Sequence, residues 1–308
     1  MSNPKDTVRV GLAAAIGAYL LWGVFPIFWK QLGKFDPLQV VGHRVIWSFL
    51  ILTAISFWFL QGSETRKKFF SALLDPKVWR TFAIAGLMIA SNWLAFVWAM
   101  SHDRVVQASL GYYINPLFNV LLGVVLLGER LNKMQWFAIA MAASGVVIFT
   151  VALGGLPWVS LVLAVTFALY SLVKKKATLP ALQGLYLETT VLLVPAVVFL
   201  GYVESTSQDG AFQSGDLRLL VLLVLGGTVT IAPLALFAFA AKRAPLSSIG
   251  VLQYIAPTMQ FLLGVCLYGE EFDTLQLVGF SFVWLALAVY LWSSRSNNQP
   301  VSSKDTEQ

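Results

Sequence analysis

The sequence predicts an all-α membrane fold with ten transmembrane helices arranged as two inverted five-helix repeats. Three observations carry that expectation: apolar blocks of roughly 20 residues, basic residues gathered on alternate connections, and a stretch of the second half that repeats the first.

The blocks dictate the solvent. Hydrophobic residues make up 58% of the 308 and charged residues only 12%, with mean hydropathy +0.75. A soluble domain carries about a quarter charged residues, so this chain lacks the polar surface to stay in water. Blocks of roughly 20 cross about 30 Å of hydrocarbon as helix, and their uniformity excludes the alternating ten-residue segments of an outer-membrane barrel. Turn and charge signals delimit spans at 8–29, 38–60, 81–100, 105–127, 134–153, 156–173, 181–202, 217–240, 246–268 and 274–293. The stretch after Arg9 is too long for a signal peptide and carries Trp22, Pro26 and Trp29, so it reads as the first permanent helix.

Charge sets the orientation. With the N-terminus in the cytoplasm, sixteen Lys and Arg fall inside, only Lys30, Lys34, Arg104 and Arg218 fall outside, and Arg44 stays within a span. This asymmetry predicts a multi-pass protein of the inner (cytoplasmic) membrane with both termini cytoplasmic. The net charge of +6 lies in short loops, so no basic module is available to hold nucleic acid. Lys174–Lys176 reads as an inside-positive anchor that also attracts anionic membrane lipid. The polar residues 294–308 read as a disordered cytoplasmic tail.

Displacing the sequence by 141 residues superimposes Tyr113–Gln135 on Tyr254–Gln276 without a gap, with 11 of 23 positions identical. The identities include Pro116/Pro257, Gly123/Gly264, Gly128/Gly269 and Glu129/Glu270, which two leucine-rich helices rarely match by chance. Residues 1–153 and 154–293 then form two repeats of five spans each. An odd number of spans inverts the second half, and two inverted halves can exchange conformations, which is the geometry of alternating access.

His43-Arg44-Val45-Ile46-Trp47-Ser48, Asn92-Trp93, Ala108–Pro116, Leu127-Gly128-Glu129-Arg130, Leu187-Glu188-Thr189 and Gln253–Thr258 closely resemble the RarD family, in the EamA branch of the drug/metabolite transporter superfamily. The resemblance spans about residues 8–293. It implies the same ten helices in inverted repeats and no catalytic residue or cofactor. The family's other label, chloramphenicol-sensitive protein, names a phenotype and not a substrate.

Candidate substrate-binding residues follow from what a membrane interior tolerates. Arg44 and Glu188 are charges inside spans, each costing on the order of 3 kcal/mol, and they are repeat partners. Lying about 9 Å deep from opposite faces, they read as lining opposite vestibules, against the alternatives of a direct ion pair or separate structural pairing. His43 offers a group for proton or ion coupling, although packing is the stronger reading. Pro116 and Pro257 remove the N–H that would bond the carbonyls of Tyr112 and Gln253, so they read as kinks or hinges beside a central cavity. Asn115, Asn119, Gln253 and Gln260 add amides there, and Tyr113 and Tyr254 add amphipathic rings. Asn92 and Trp93 are further candidates. Gly128-Glu129 and Gly269-Glu270 read as interfacial helix caps, and Cys266 as a small buried hydrophobe.

No phosphate-cradling glycine loop, His-Glu-x-x-His motif or His/Cys cluster occurs in the sequence. The expectation is therefore a non-enzyme without cofactor or metal: a secondary transporter of small metabolites or drugs. The alternative is a membrane-embedded interaction or assembly protein.

Overall fold

The computed structural model describes residues 4–56, 60–127, 131–206, 210–213, 215–241, 243–244 and 252–296. The described residues are almost all helical. Helix α1 (Pro4–Gly23) continues after a break into α2 (Phe25–Trp29) and a 3-10 turn (Lys30–Leu32). Then come α3 (Pro37–Ala54), α4 (Ser63–Leu73), α5 (Pro76–Ser101), α6 (Val105–Leu127) and α7 (Lys133–Leu153). The second half contains α8 (Trp158–Lys176), α9 (Ala181–Thr206), α10 (Leu217–Ala241), α11 (Ile255–Leu262, extended by a π-helical turn to Leu267) and α12 (Thr274–Ser296).

Among the described residues, six segments are long and apolar enough to cross a membrane: Asp6–Leu32, Pro37–Ala54, Pro76–Ser101, Lys133–Leu153, Leu182–Thr206 and Leu217–Phe237. Shorter apolar helices cover Trp158–Lys174, Ile255–Leu267 and Thr274–Tyr290. Large apolar side chains stand on the outside of the bundle, among them Val147, Val151, Val194, Val198 and Leu285. In water that coat would be an aggregation surface; in hydrocarbon it costs nothing.

Short polar residues start several of the helices. Asp36 and Asp75 accept hydrogen bonds from the amides of Leu38 and Lys77, both at 2.8 Å, and each stands before a proline that needs no donor. Asn132 forms a capping box with Gln135, and its repeat equivalent Asp273 accepts from the Gln276 amide at 2.6 Å, so α7 and α12 begin in the same way. The Asp75 cap explains why α5 starts five residues before the predicted span. Helix α4, which the apolar blocks did not signal, lays Phe69 against Phe82 and Leu187 and keeps Arg66, Lys67 and Lys68 exposed. Helix α12 runs to Ser296, so the first residues assigned to the tail are helical; 297–308 lie outside the described residues.

Proline has three different outcomes. Pro26 breaks the first span, and the carbonyl it frees, that of Trp22, accepts a hydrogen bond from Gln260 Nε2 on α11 at 3.0 Å. Pro116 lies inside a continuous α6. Pro257 stands in the first turn of α11, where an N–H would have no helical partner anyway, so it starts that helix and does not kink a continuous one.

Helix α3 packs on α9 and α10, α5 on α8 and α9, α6 on α8 and α11, α1 on α10 and α11, and α7 on α12. The α7–α12 crossing depends on glycine: a Cβ on Gly145 would sit 2.6 Å from the Gly279 carbonyl, and one on Gly279 would sit 2.9 Å from the Gly145 carbonyl. Backbone cannot yield as a flexible side chain can. Gly145→Leu should therefore cost about 1–3 kcal/mol or more, read as a lower melting temperature and folded yield in detergent. Val147→Leu, on the exposed face, should change neither.

Candidate functional site

Arg44 lies two turns into α3 and is 4% exposed. Its guanidinium stands over the rings of Trp93 (4.1 Å), Trp29 (4.8 Å) and Phe25 (6.0 Å), brought together from α5 and α2. Tyr112 of α6 is within electrostatic range of the same group. No carboxylate among the described residues pairs with Arg44, and its buried Nε has no hydrogen-bond partner.

The Tyr112 phenol donates to Asn92 Oδ1 at 3.3 Å, and Asn92 Nδ2 donates to the Leu163 carbonyl and Thr166 Oγ1, both at 3.0 Å. Asn92 thus ties α5, α6 and α8 together. Asn115 adds a second tie, donating from Nδ2 to the Ala164 carbonyl at 3.0 Å, and Ser160 a third, donating to the Gln107 carbonyl at 2.6 Å.

Glu188 is fully buried on α9. Lys174 Nζ donates to its Oε1 at 2.7 Å and the Tyr170 phenol to its Oε2 at 3.2 Å. Lys174 is therefore no simple surface anchor: its stem is drawn inward past the rings of Phe82 and Tyr170. Gly184, one turn before Glu188, makes the space, since a Cβ there would meet Lys174 Nζ at 2.5 Å. The side chains of Lys175 and Lys176 are not among those described.

The remaining candidates gather at the seam of α6 and α11. Tyr113 stacks on Tyr254 at 6.4 Å, and its phenol is 2.6 Å from Thr258 Oγ1. Gln253 is half-buried next to Tyr254, and Gln260 holds the Trp22 carbonyl. Tyr113 also faces Phe280 and Trp284 of α12, away from the Arg44 group that its neighbour Tyr112 joins. The Asn119 side chain lies outside those described, as do Gly128 and Glu129. Gly269 adopts the left-handed φ of +63° expected of a helix end, but Glu270 caps a different helix: its carboxylate accepts from the amides of Val105 (2.7 Å) and Val106 (2.8 Å) at the start of α6. His43 is buried with its ring edge on Phe212, at one side of a small crevice between α3 and α9. Cys266 is exposed on the helix surface, not buried as its apolar setting suggested.

The structure thus joins Arg44, Asn92, Trp93 and Tyr112 in one group, and places Glu188 in another. Sequence reasoning missed Phe25, Trp29, Tyr170 and Lys174. Phe25 with Trp29, and Tyr170 with Lys174, are i,i+4 pairs that share a helix face, and that spacing was the available signal. A run of rings connects the two groups: Phe25–Phe96 (6.4 Å), Phe96–Tyr112 (5.9 Å), Tyr112–Phe167 (6.3 Å) and Phe167–Tyr170 (6.0 Å).

An apolar coat, a proline-freed carbonyl met by a side chain and charges held inside the helices define a polytopic α-helical membrane protein. The EamA-like transporter family profile matches residues 9–151. An uncharacterized transporter of Vibrio cholerae is 40% identical over 291 residues, 94% of each chain. Protein RarD of Escherichia coli is 38% identical over 289 residues, 94% of this chain and 96% of the relative. The chloramphenicol-sensitive protein RarD of Pseudomonas aeruginosa is 31% identical over 288 residues, 92% of this chain and 94% of the relative. A solved crystal structure shares the fold, with TM-score 0.59 at 19% identity, covering 95% of this chain and 99% of the other. The chain belongs to the RarD family of EamA-like transporters, within the drug/metabolite transporter superfamily. It is a multi-pass transporter of the inner membrane and not an enzyme.

The Glu188 pair gives a direct test. Lys174→Met leaves a buried carboxylate without its cation and should cost about 3–5 kcal/mol, seen as a large drop in melting temperature. Adding Glu188→Gln should restore most of the loss, because no charge then remains to be neutralised.

Proposed function

We propose that the chain is a secondary transporter that moves small metabolites or drugs by alternating access, with ten spans in two inverted repeats over residues 1–153 and 154–293. The observation that carries this reading is the pattern of helix neighbours. Counting α1 with α2 as one span and leaving aside the short α4, exchange of the two halves maps each principal packing pair onto another. The pairs α3–α9, α6–α11 and α7–α12 are each formed by repeat mates. The pair α5–α8 maps onto α10–α1, α3–α10 onto α9–α5, and α6–α8 onto α11–α1. A bundle whose contacts are preserved under inversion has two related arrangements of comparable energy, one open to each side.

In this reading Arg44 with Trp93, Asn92 and Tyr112 serves the external vestibule, and Glu188 serves the internal one. The seam of α6 and α11, with Tyr113, Asn115, Gln253, Tyr254 and Gln260, lies between moving halves, and Asn119 belongs to the same helix. Pro116 and the Pro257 start of α11 are the hinges. Pro116 supports that role by removing a hydrogen bond within α6, and Pro257 by standing where α11 begins.

Two measurements test the proposal. After Cys266→Ser, a single cysteine replacing Lys67 should label only from the cytoplasmic side and one replacing Gly210 only from outside; the reverse, or both on one face, would refute the topology. In proteoliposomes, Pro116→Ala should restore a helix hydrogen bond, bias the conformational equilibrium and change flux several-fold with little change in folded yield. Unchanged flux would remove the hinge.

A further inference from the structure

We infer that the external half of the site is a receptor for an organic monoanion, an aromatic or flat carboxylate whose carboxyl group binds the edge of the Arg44 guanidinium. The inference rests on the transporter reading above and names the substrate class for it.

Three features lead there. Lys174 and Glu188 neutralise each other at 2.7 Å, so Arg44 is an uncompensated single positive charge among the described residues. The rings of Trp93 and Trp29 occupy positions over the guanidinium, but rings satisfy only the faces of that planar cation. Its five N–H donors point outward in the plane, and the buried Nε has no acceptor. A planar acceptor with one negative charge meets both needs, as a carboxylate does bidentately. A phosphate dianion would bring a second charge with no second cation to match it.

The rest of the ligand is defined by what surrounds the cation. Phe25, Phe96 and Tyr112 continue from Arg44 as a run of ring contacts at 5.9–6.4 Å, a wall suited to a flat apolar body. A cationic substituent would stand beside the Arg44 charge with no free buried carboxylate among the described residues to pair with. Glu188, the buried carboxylate among the described residues, already accepts from Lys174 and Tyr170.

The test uses full-length protein in lipid nanodiscs, titrated with phenylacetate, its neutral isostere phenylacetamide, phenyl phosphate and phenethylammonium, with tryptophan fluorescence as the readout. Phenylacetate should bind at least tenfold tighter than each of the other three. Arg44→Gln should bring acid and amide within about twofold of each other. Arg44→Lys should keep only part of the preference, because an ammonium lacks the planar fork. Equal binding of acid and amide by wild type would overturn the inference, which keeps it falsifiable if Arg44→Gln does not fold. Retention of the preference in Arg44→Gln would also overturn it, and would mark Arg44 as a packing post. Proteoliposome flux separates this claim from the transporter reading: Arg44-dependent binding without flux upholds the anion site and refutes the proposed transport, whereas flux of a neutral or cationic solute that Arg44→Gln leaves unchanged upholds transport and refutes the anion site.

Discussion

A charged side chain within hydrocarbon must be neutralised or covered by the protein, because no bulk water is present to do it. Much of the interior is arranged around that requirement, and it is met in two ways. At Glu188 the solution is complete: a lysine and a phenol converge on the two carboxylate oxygens, and a glycine one turn away leaves room for the lysine. At Arg44 it is partial. Aromatic rings stand over the guanidinium and replace some of its hydration energy, while its buried Nε has no acceptor.

The backbone obeys the same rule in a lower key. A proline inside a membrane helix frees a carbonyl, and the Trp22 carbonyl freed by Pro26 is met by a glutamine from the opposite half of the chain. Helix ends are treated similarly, with Glu270 closing the first amides of α6 from the connection that follows α11. These contacts cross between the two halves of the chain, so polar satisfaction and the packing of the halves depend on the same bonds.

The two charged groups stand apart but are linked by aromatic rings, and Asn92 and Tyr112 connect the Arg44 group to α8, which carries Tyr170 and Lys174.

Length and spacing of the apolar blocks were enough to read an all-helical membrane protein, since a span must be both long and apolar wherever it packs, but not the polar helix α4. The repeat was legible because proline, glycine and glutamate recur in register, and the family was legible because its motifs are local. The buried state of Arg44 and Glu188 could be inferred from their position inside spans. Their partners could not. Lys174 belongs to a run of three lysines at a helix end, and nothing local distinguishes the one that turns inward; only the approach of α9, with Gly184 facing it, decides that. Pro116 and Pro257 look equivalent in sequence, yet one lies within a helix and the other begins one. Glu270 closes a helix 165 residues earlier in the chain. Partner choice of this kind is a property of which helices meet, and hydrophobic periodicity carries no information about it because lipid and protein are equally apolar surroundings for a helix face.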